Sequence, residues 1–318
     1  MRTLIIAPKL ILLGLTTLLT SSCAQQIVEK SSLYKQPALT ESNALVAKKN
    51  QHVKAYAKFV PIREDDFAWE NDLVAFRMYG PSSLATPTKA ASGIDCWLKR
   101  VDYSVIDKWY DNYKHKISYH TDWGEGHDPY HTGTSRGTGG TAVWIDDTPY
   151  PSGTFSASRI IDNNPEKVIF ELDYIWQTKL GKVSETKKIS LALGSQLFEV
   201  TSSFKLNGQI ANNLSIAIGV ATHDEAAKVS KNNVSGWIAA WEKIKGYHLG
   251  TGVKVNPEDI DRIIHQPSSD KDQSHIWLIS HTNEDGKLHY AAGYGWQRAG
   301  KITSEQQWQQ YLTNYSLK

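Results

Sequence analysis

The chain has 318 residues, with 35 basic and 33 acidic side chains; loss of a leader ending at residue 22 would remove Arg2 and Lys9 and leave the two signs balanced. A balanced field excludes general electrostatic attraction to nucleic acid or anionic lipid, so an acidic ligand must be held by local arginines and lysines. Cys23 and Cys96 are the two cysteines; with the first assigned to an amino-terminal signal, no internal disulfide forms and the fold must rest on its core.

Arg2 and Lys9 accompany an apolar run from Leu10 to Leu19, and Thr20-Ser21-Ser22-Cys23 follows. A charged start, a short apolar stretch and small residues before a cysteine make a secretory signal. A membrane span would need about 20 apolar residues. Cys23 looks like the lipid-accepting cysteine of a bacterial lipoprotein, although Thr20 stands where an aliphatic residue is usual; soluble periplasmic export is the alternative reading. The expected organisation is a signal over 1–22, a tether and extension over 23–54, and one β-sandwich catalytic domain over 55–318. Its expected place is the cell envelope, lipid-anchored to the periplasmic side or the outer membrane.

A first strand is expected near Ala55 to Val60. Within A-W-E-N-D-L-V-A-F-R-M-Y (Ala68 to Tyr79), the second half has strand propensity until Gly80-Pro81 stops it. Glu70, Asn71 and Arg77 in this stretch either fix the strand's register or form a wall facing a substrate. Ser104 to His115 predicts a helix capped by Ser104, with Val105, Trp109 and Tyr113 on one face.

Tyr119 to Gly140 then reads Y-H-T-D-W-G-E-G-H-D-P-Y-H-T-G-T-S-R-G-T-G-G. Polar groups fill both the helical and the strand period and glycine interrupts both, so a long loop is expected. Loops of this length in compact domains are usually functional or disordered, and this one's aromatic residues argue against disorder.

After the loop the period becomes two. Val168, Phe170, Leu172, Tyr174 and Trp176 alternate with Ile169, Glu171, Asp173 and Ile175. Further strands are expected over Glu185 to Leu193, Leu197 to Leu206, Leu214 to Ala221, Trp237 to Trp241, His275 to His281 and Leu288 to Trp296. A short helix is expected over Asp224 to Val229 and a terminal one over Ser304 to Leu312. Regularly spaced short strands without alternating helices indicate an antiparallel sandwich or barrel.

His223 follows a strand directly and is a candidate proton handler. With eleven tryptophans and fifteen tyrosines, the aromatic load suits the apolar faces of sugar rings, and Trp123 and Trp296 are the rings expected to meet a sugar. Three chemistries compete for the loop. His120, His127 and His131 are available to a divalent metal, but their spacing matches no short zinc signature, and no metal or other cofactor is assigned. Glu125 and Asp128 offer the two carboxylates of a glycoside hydrolase. Elimination on a uronic acid needs a cation for the carboxylate, a base and an acid. Arg136 supplies the forked cation, and His120, His223 and Tyr130 the proton carriers.

The blocks W-E-N-D-L-V-A-F-R-M-Y-G-P (Trp69 to Pro81), Tyr119 to Gly140, and G-V-A-T-H (Gly219 to His223) resemble those of a bacterial family catalogued as a domain of unknown function. That family occurs in polysaccharide-utilisation clusters, and one marine member is the ulvan oligosaccharide dehydratase. The resemblance covers most of the chain after about residue 55. It implies an all-β fold, a large antiparallel galactose-mutarotase-like supersandwich with a few short helices. It also implies removal of water from the nonreducing-end glucuronic or iduronic acid of an anionic oligosaccharide, giving a 4,5-unsaturated uronate. In that reaction His120 or His223 would take the C5 proton, Tyr130 protonate the leaving 4-hydroxyl and Arg136 hold the carboxylate. A polysaccharide lyase, an unsaturated-uronyl hydrolase and a non-catalytic sugar-binding lipoprotein are the competing expectations.

Overall fold

The computed structural model describes residues 53–85, 91–223 and 226–318; the signal, Cys23 and nearly all of the tether lie outside the described residues, as do Asp224 and Glu225. Five short strands come first: β1 (Tyr56–Val60), β2 (Asp66–Glu70), β3 (Ala75–Met78), β4 (Asp95–Lys99) and β5 (Gly126–His127), paired in that order. They are followed by β6 (Thr138–Ile145), β7 (Thr148–Pro151), β8 (Ala157–Asn164), β9 (Lys167–Thr178), β10 (Gly181–Ala192), β11 (Leu197–Leu206), β12 (Gln209–Ile210) and β13 (Ser215–Ala221). Then come β14 (Lys228–Asn232), β15 (Trp237–Ile244), β16 (Tyr247–Lys254), β17 (Arg262–Gln266), β18 (His275–His281) and β19 (Lys287–Trp296).

Strands β14, β15, β16, β19, β11, β10, β9 and β8 make a long antiparallel sheet in that order, with β12 attached to β11. A third sheet runs β17, β18, β13, β6, β7. The alternation predicted from Val168 onward holds, because β9 buries Val168, Phe170, Leu172 and Tyr174 while Ile175 faces out. One core joins all three sheets, with Trp69 and Phe76 from the first, Phe170 and Phe198 from the second, and Ile218 and Leu278 from the third. The Phe67 and Phe170 rings stack at 4.5 Å, so the large sheet closes against the first. This is the antiparallel sandwich the periodicity predicts.

Two α-helices stand among the described residues. The terminal one, α2 below, follows its spacing, but the first, α1 (Ile106–Lys114), begins without help from Ser104. Its free amino-terminal N–H groups go to Glu70 of β2: Val105 N donates at 2.9 and 3.0 Å and Ile106 N at 3.0 Å. A helix start leaves such donors orphaned, and a carboxylate there also meets the positive end of the dipole. Glu70 further accepts from Lys99 Nζ at 2.9 Å, with both side chains fully buried. The predicted stripe shifts as well: Ile106, Trp109 and Tyr110 turn inward and Tyr113 is exposed.

Asn71 is likewise consumed internally. Its amide donates to Ala192 O (2.7 Å) and Ser195 O (2.8 Å), and its oxygen accepts from Leu73 N and Val74 N. Glu70 and Asn71, two of the three residues read as either fixing the strand's register or facing a substrate, are therefore joints of the scaffold. The short helix expected after His223 gives way to strand β14. Helix α2 (Glu305–Asn314) is capped by Ser304, whose side chain accepts from Gln307 N, and it buries Trp308 and Leu312.

Candidate functional site

Residues 119–137 stay mostly irregular, with β5 as the exception. Their path is pinned where Asp128 N donates to Tyr119 O (2.9 Å) and Thr138 N to Ile94 O (2.9 Å). Gly137 lies between them at φ +54°, where a Cβ would stand 2.0 Å from Ile94 O. Only glycine passes there without strain.

An imidazole holds each end of the segment Asp128–His131. His120 Nδ1 lies 2.7 Å from the Asp128 carbonyl, and His223 Nε2 lies 2.7 Å from the His131 carbonyl. Three residues span at most about 10 Å of chain, so the two predicted histidines act on one short piece of backbone. Their chemistry differs. A carbonyl only accepts, so His120 turns an Nδ1–H to it, and in the neutral ring that tautomer has its lone pair on Nε2, the arrangement of a base. His223 faces acceptors on both sides, because its Nδ1 also meets the two Glu242 carboxylate oxygens at 2.7 and 2.9 Å. With acceptors on both sides the site is built to hold this ring in its doubly protonated form, which could serve as an acid. The backbone at His223 is left-handed, φ +42°, a conformation that costs energy and recurs at functional sites.

Tyr130 packs its ring edge-on to His223 at 4.7 Å. Its hydroxyl accepts from Thr138 Oγ1 at 3.3 Å, and burial pushes the phenol well above its ordinary pKa. It keeps its proton.

Arg136 crosses β13 at Gly219, where a Cβ would lie 2.7 Å from the arginine Cγ; the glycine of G-V-A-T-H is the space Arg136 occupies. The guanidinium donates to Ser92 Oγ (2.9 Å), Thr134 O (3.0 Å) and Thr141 O (3.5 Å). A guanidinium has five N–H donors, so three acceptors leave donors over. Arg136 is 2% exposed, yet among the described residues no carboxylate forms an ion pair with it. Burial accordingly lowers its pKa to about 10.

Its backbone N–H donates to His275 Nε2 at 3.0 Å, and His275 Nδ1 lies 3.0 Å from Gln273 O. That pairing needs a neutral ring, and burial pulls the His275 pKa from 6.5 down to about 4. The unfolded chain thus takes this proton in a window where the native one refuses it, so His275 makes stability fall as pH drops from 6.5 toward 4. A His275→Asn variant is expected to lose less of its urea midpoint between about pH 7 and about pH 4.5 than the unmodified protein. Equal losses would count against this assignment.

His223 lines a small hollow with His131, Ser135, Ala221, Asp272 and Ser274. Beside it runs an open groove of about 610 Å³ that carries Arg136, His275 and Trp277 and also includes Asp272. Asp272 stitches the two together: it pairs with His131 Nε2 at 2.8 Å and accepts from Thr134 N at 3.0 Å. His223, Tyr130 and Arg136 are therefore neighbours; His120 lines neither hollow and is tied to them through the Asp128–His131 backbone.

The other expected contacts lie elsewhere. Arg77 is buried among Asp95, Asp128 and Asp66 and serves the core. Trp296 is 2% exposed, packed against His127 at 5.6 Å. Trp123 is 59% exposed but lines neither hollow. The three loop histidines take separate partners: His120 the Asp128 carbonyl, His127 the Trp296 ring and His131 Asp272. Among the described residues no three His, Cys, Asp or Glu side chains gather as metal ligands.

Glu242, Asp272 and His275 were missed as site residues. Glu242 had left a signal: it continues the inward face of Ile238 and Ala240 on β15, and a charge in an apolar phase needs a partner. Asp272, in a polar turn, had left none.

A family model described as a domain of unknown function (DUF4861) matches residues 19–318. An uncharacterized protein, P7, of Formosa agariphila is 36% identical over 276 residues, covering 84% of this chain and 68% of its own. Among solved structures, the GH36 α-galactosidase AgaB of Geobacillus stearothermophilus aligns at 10% identity and TM-score 0.35, over 75% of this chain and 41% of that one. The 4-α-glucanotransferase of Thermococcus litoralis aligns at 11% identity and TM-score 0.33, over 79% of this chain and 41% of its own. The chain spans about two-fifths of the length of those enzymes, and a likeness this distant carries no inference about its activity.

Proposed function

The chain belongs to the DUF4861 family, and from its site geometry and family resemblance we propose that it is a carbohydrate dehydratase, a hydro-lyase removing water from the nonreducing-end uronic acid of ulvan oligosaccharides. The carrying observation is a nine-tenths-buried arginine with spare donors and, among the described residues, no ion pair to a carboxylate, set beside a histidine–glutamate pair.

Abstraction of the C5 proton from a glucuronic or iduronic acid pushes charge onto its carboxylate. Arg136 meets that charge with a cation already in place and already stripped of water, the condition under which such stabilisation is largest. His120 takes the C5 proton on its free Nε2. The C5 electron pair forms the C4–C5 double bond as the C4–O4 bond breaks, and His223, held by Glu242, exchanges its Nε2–H bond to the His131 carbonyl for the departing hydroxyl and gives it that proton, so that water leaves. Solvent returns the proton from one ring to the other. Tyr130, expected to protonate the leaving group, is too buried for that part and instead braces His223.

Saturated uronate-ended oligomers cut from ulvan are expected to gain ultraviolet absorbance from the new conjugated double bond and to lose the mass of one water with chain length unchanged. No change in absorbance, with or without divalent metal, would refute the dehydratase. Shortened chains would indicate a lyase, and loss of absorbance from unsaturated oligomers a uronyl hydrolase. Binding without any product would leave a sugar-binding lipoprotein. The anchor belongs to the same proposal: labelled fatty acid is expected on the full chain and absent from Cys23→Ser.

A further inference from the structure

We propose that the groove beside Arg136 is a subsite for the second sugar of the substrate, so that the protein selects the end of a chain over a free uronic acid. The inference rests on the dehydratase reading and adds where the rest of the oligosaccharide lies.

Size comes first. The groove's 610 Å³ is far larger than the hollow of about 20 Å³ beside His223. It also falls within the range of about 300–1,000 Å³ typical of ligand sites. The small hollow of His223 is separate, and the two meet where Ser135 lines the one and Arg136 the other, with Asp272 common to both. A uronic acid gripped by Arg136 at that junction has one direction in which to extend, along the groove.

The lining suits a sugar recognised by its hydroxyls. Gln266, Ser268 and Gln273 present uncharged donors and acceptors, and Pro149 and Pro151 present apolar faces. Among the described lining residues Arg136 is the sole cation, because His275 is held neutral. Two carboxylates, Asp270 and Asp272, share the lining, and Asp272 is already engaged by His131 and Thr134. The charge balance thus assigns the single cation to the reacting sugar's carboxylate and leaves the neighbouring sugar to hydrogen bonds and packing.

Titration calorimetry of the whole protein with methyl glucuronoside, a glucuronic-acid-ended disaccharide and the matching trisaccharide tests this. Kd is expected to fall roughly tenfold or more from the methyl glycoside to the disaccharide. Thr148→Trp, and independently Ser268→Trp, fill the groove without touching the proposed catalytic groups. Each is expected to abolish that gain while leaving affinity for the methyl glycoside unchanged. Equal affinities for the glycoside and the disaccharide, or a gain that survives both substitutions, would overturn the subsite. The intended binding pattern with no turnover of any substrate would instead refute the dehydratase reading and leave the subsite standing.

Discussion

Replacing Arg77 by methionine is expected to cost about 3–5 kcal/mol of folding stability, the usual penalty for removing one partner of a buried ion pair. The guanidinium donates to Asp95, lies 3.3 Å from Asp128 Oδ2 and 3.9 Å from Asp66 Oδ2, and bonds the Tyr119 hydroxyl at 3.2 Å. All three carboxylates are buried. Arg63 NH1 reaches one of them, Asp66, at 3.1 Å, so without Arg77 three acids share one cation. The network is already short of positive charge: burial pushes Asp66 up to about 6 and Asp128 well above the usual carboxylate range.

That imbalance sets the sign of the pH dependence. A carboxylate whose native pKa is raised favours folding most when protonated and loses that contribution as pH rises through the native pKa. Without the guanidinium these pKa values rise further, so the cost of Arg77→Met is expected to be largest near about pH 7 and to shrink toward about pH 5. Urea midpoints of both proteins at the two pH values measure it. A penalty below about 1 kcal/mol, or one equal at both pH values, would show that Arg77 is not the keystone of these acids.

How much of this could be read in advance varies along the chain for physical reasons. Strand β9 was legible because one face is wet and the other dry, which writes a period of two into the sequence. Strand β16 was not, because Gly250 and Gly252 interrupt Y-H-L-G-T-G-V-K. Those glycines make room for Trp308 and Leu312 of α2, since a Cβ on Gly250 would lie 2.6 Å from Trp308 Cδ1 and one on Gly252 2.9 Å from Leu312 Cδ1. The reason for them sits more than fifty residues away. Glu70 and Asn71 show a second limit. Polar side chains beside a strand indicate unmet hydrogen bonds but not whose, and here the partners were the N–H donors of a helix start and the carbonyl acceptors of a turn between β10 and β11.

The site divides in the same way. The loop's composition marked His120, Tyr130 and Arg136, and a strand end marked His223. The groups that give the two histidines different surroundings, a loop carbonyl for one and Glu242 for the other, are set by tertiary packing. Tryptophan count could not separate the exposed Trp123 from the buried Trp296, since both have the same composition-level meaning.

Arg136→Gln is expected to invert the outcome of Arg77→Met: activity falls by roughly 10² to 10³ in kcat/KM, while stability holds or rises slightly. Both arginines are 2% exposed, and their surroundings differ in kind. Arg77 stands among three carboxylates, whereas Arg136 bonds only neutral oxygens. A buried cation with no ion-pair partner among the described residues is a cost to the fold, and burial lowers its pKa to about 10 although Glu185 acts in the opposite direction. Glutamine keeps an amide to donate to Thr134 O or Ser92 Oγ and removes the charge, so the native state sheds a desolvation penalty. The substrate's carboxylate loses its cation at the moment charge develops there, and the effect is expected in kcat as well as in KM. Activity lost together with several kcal/mol of stability would make Arg136 a structural residue like Arg77. Lost activity in a protein as stable as the original is the signature of a group whose strain is kept for its ligand.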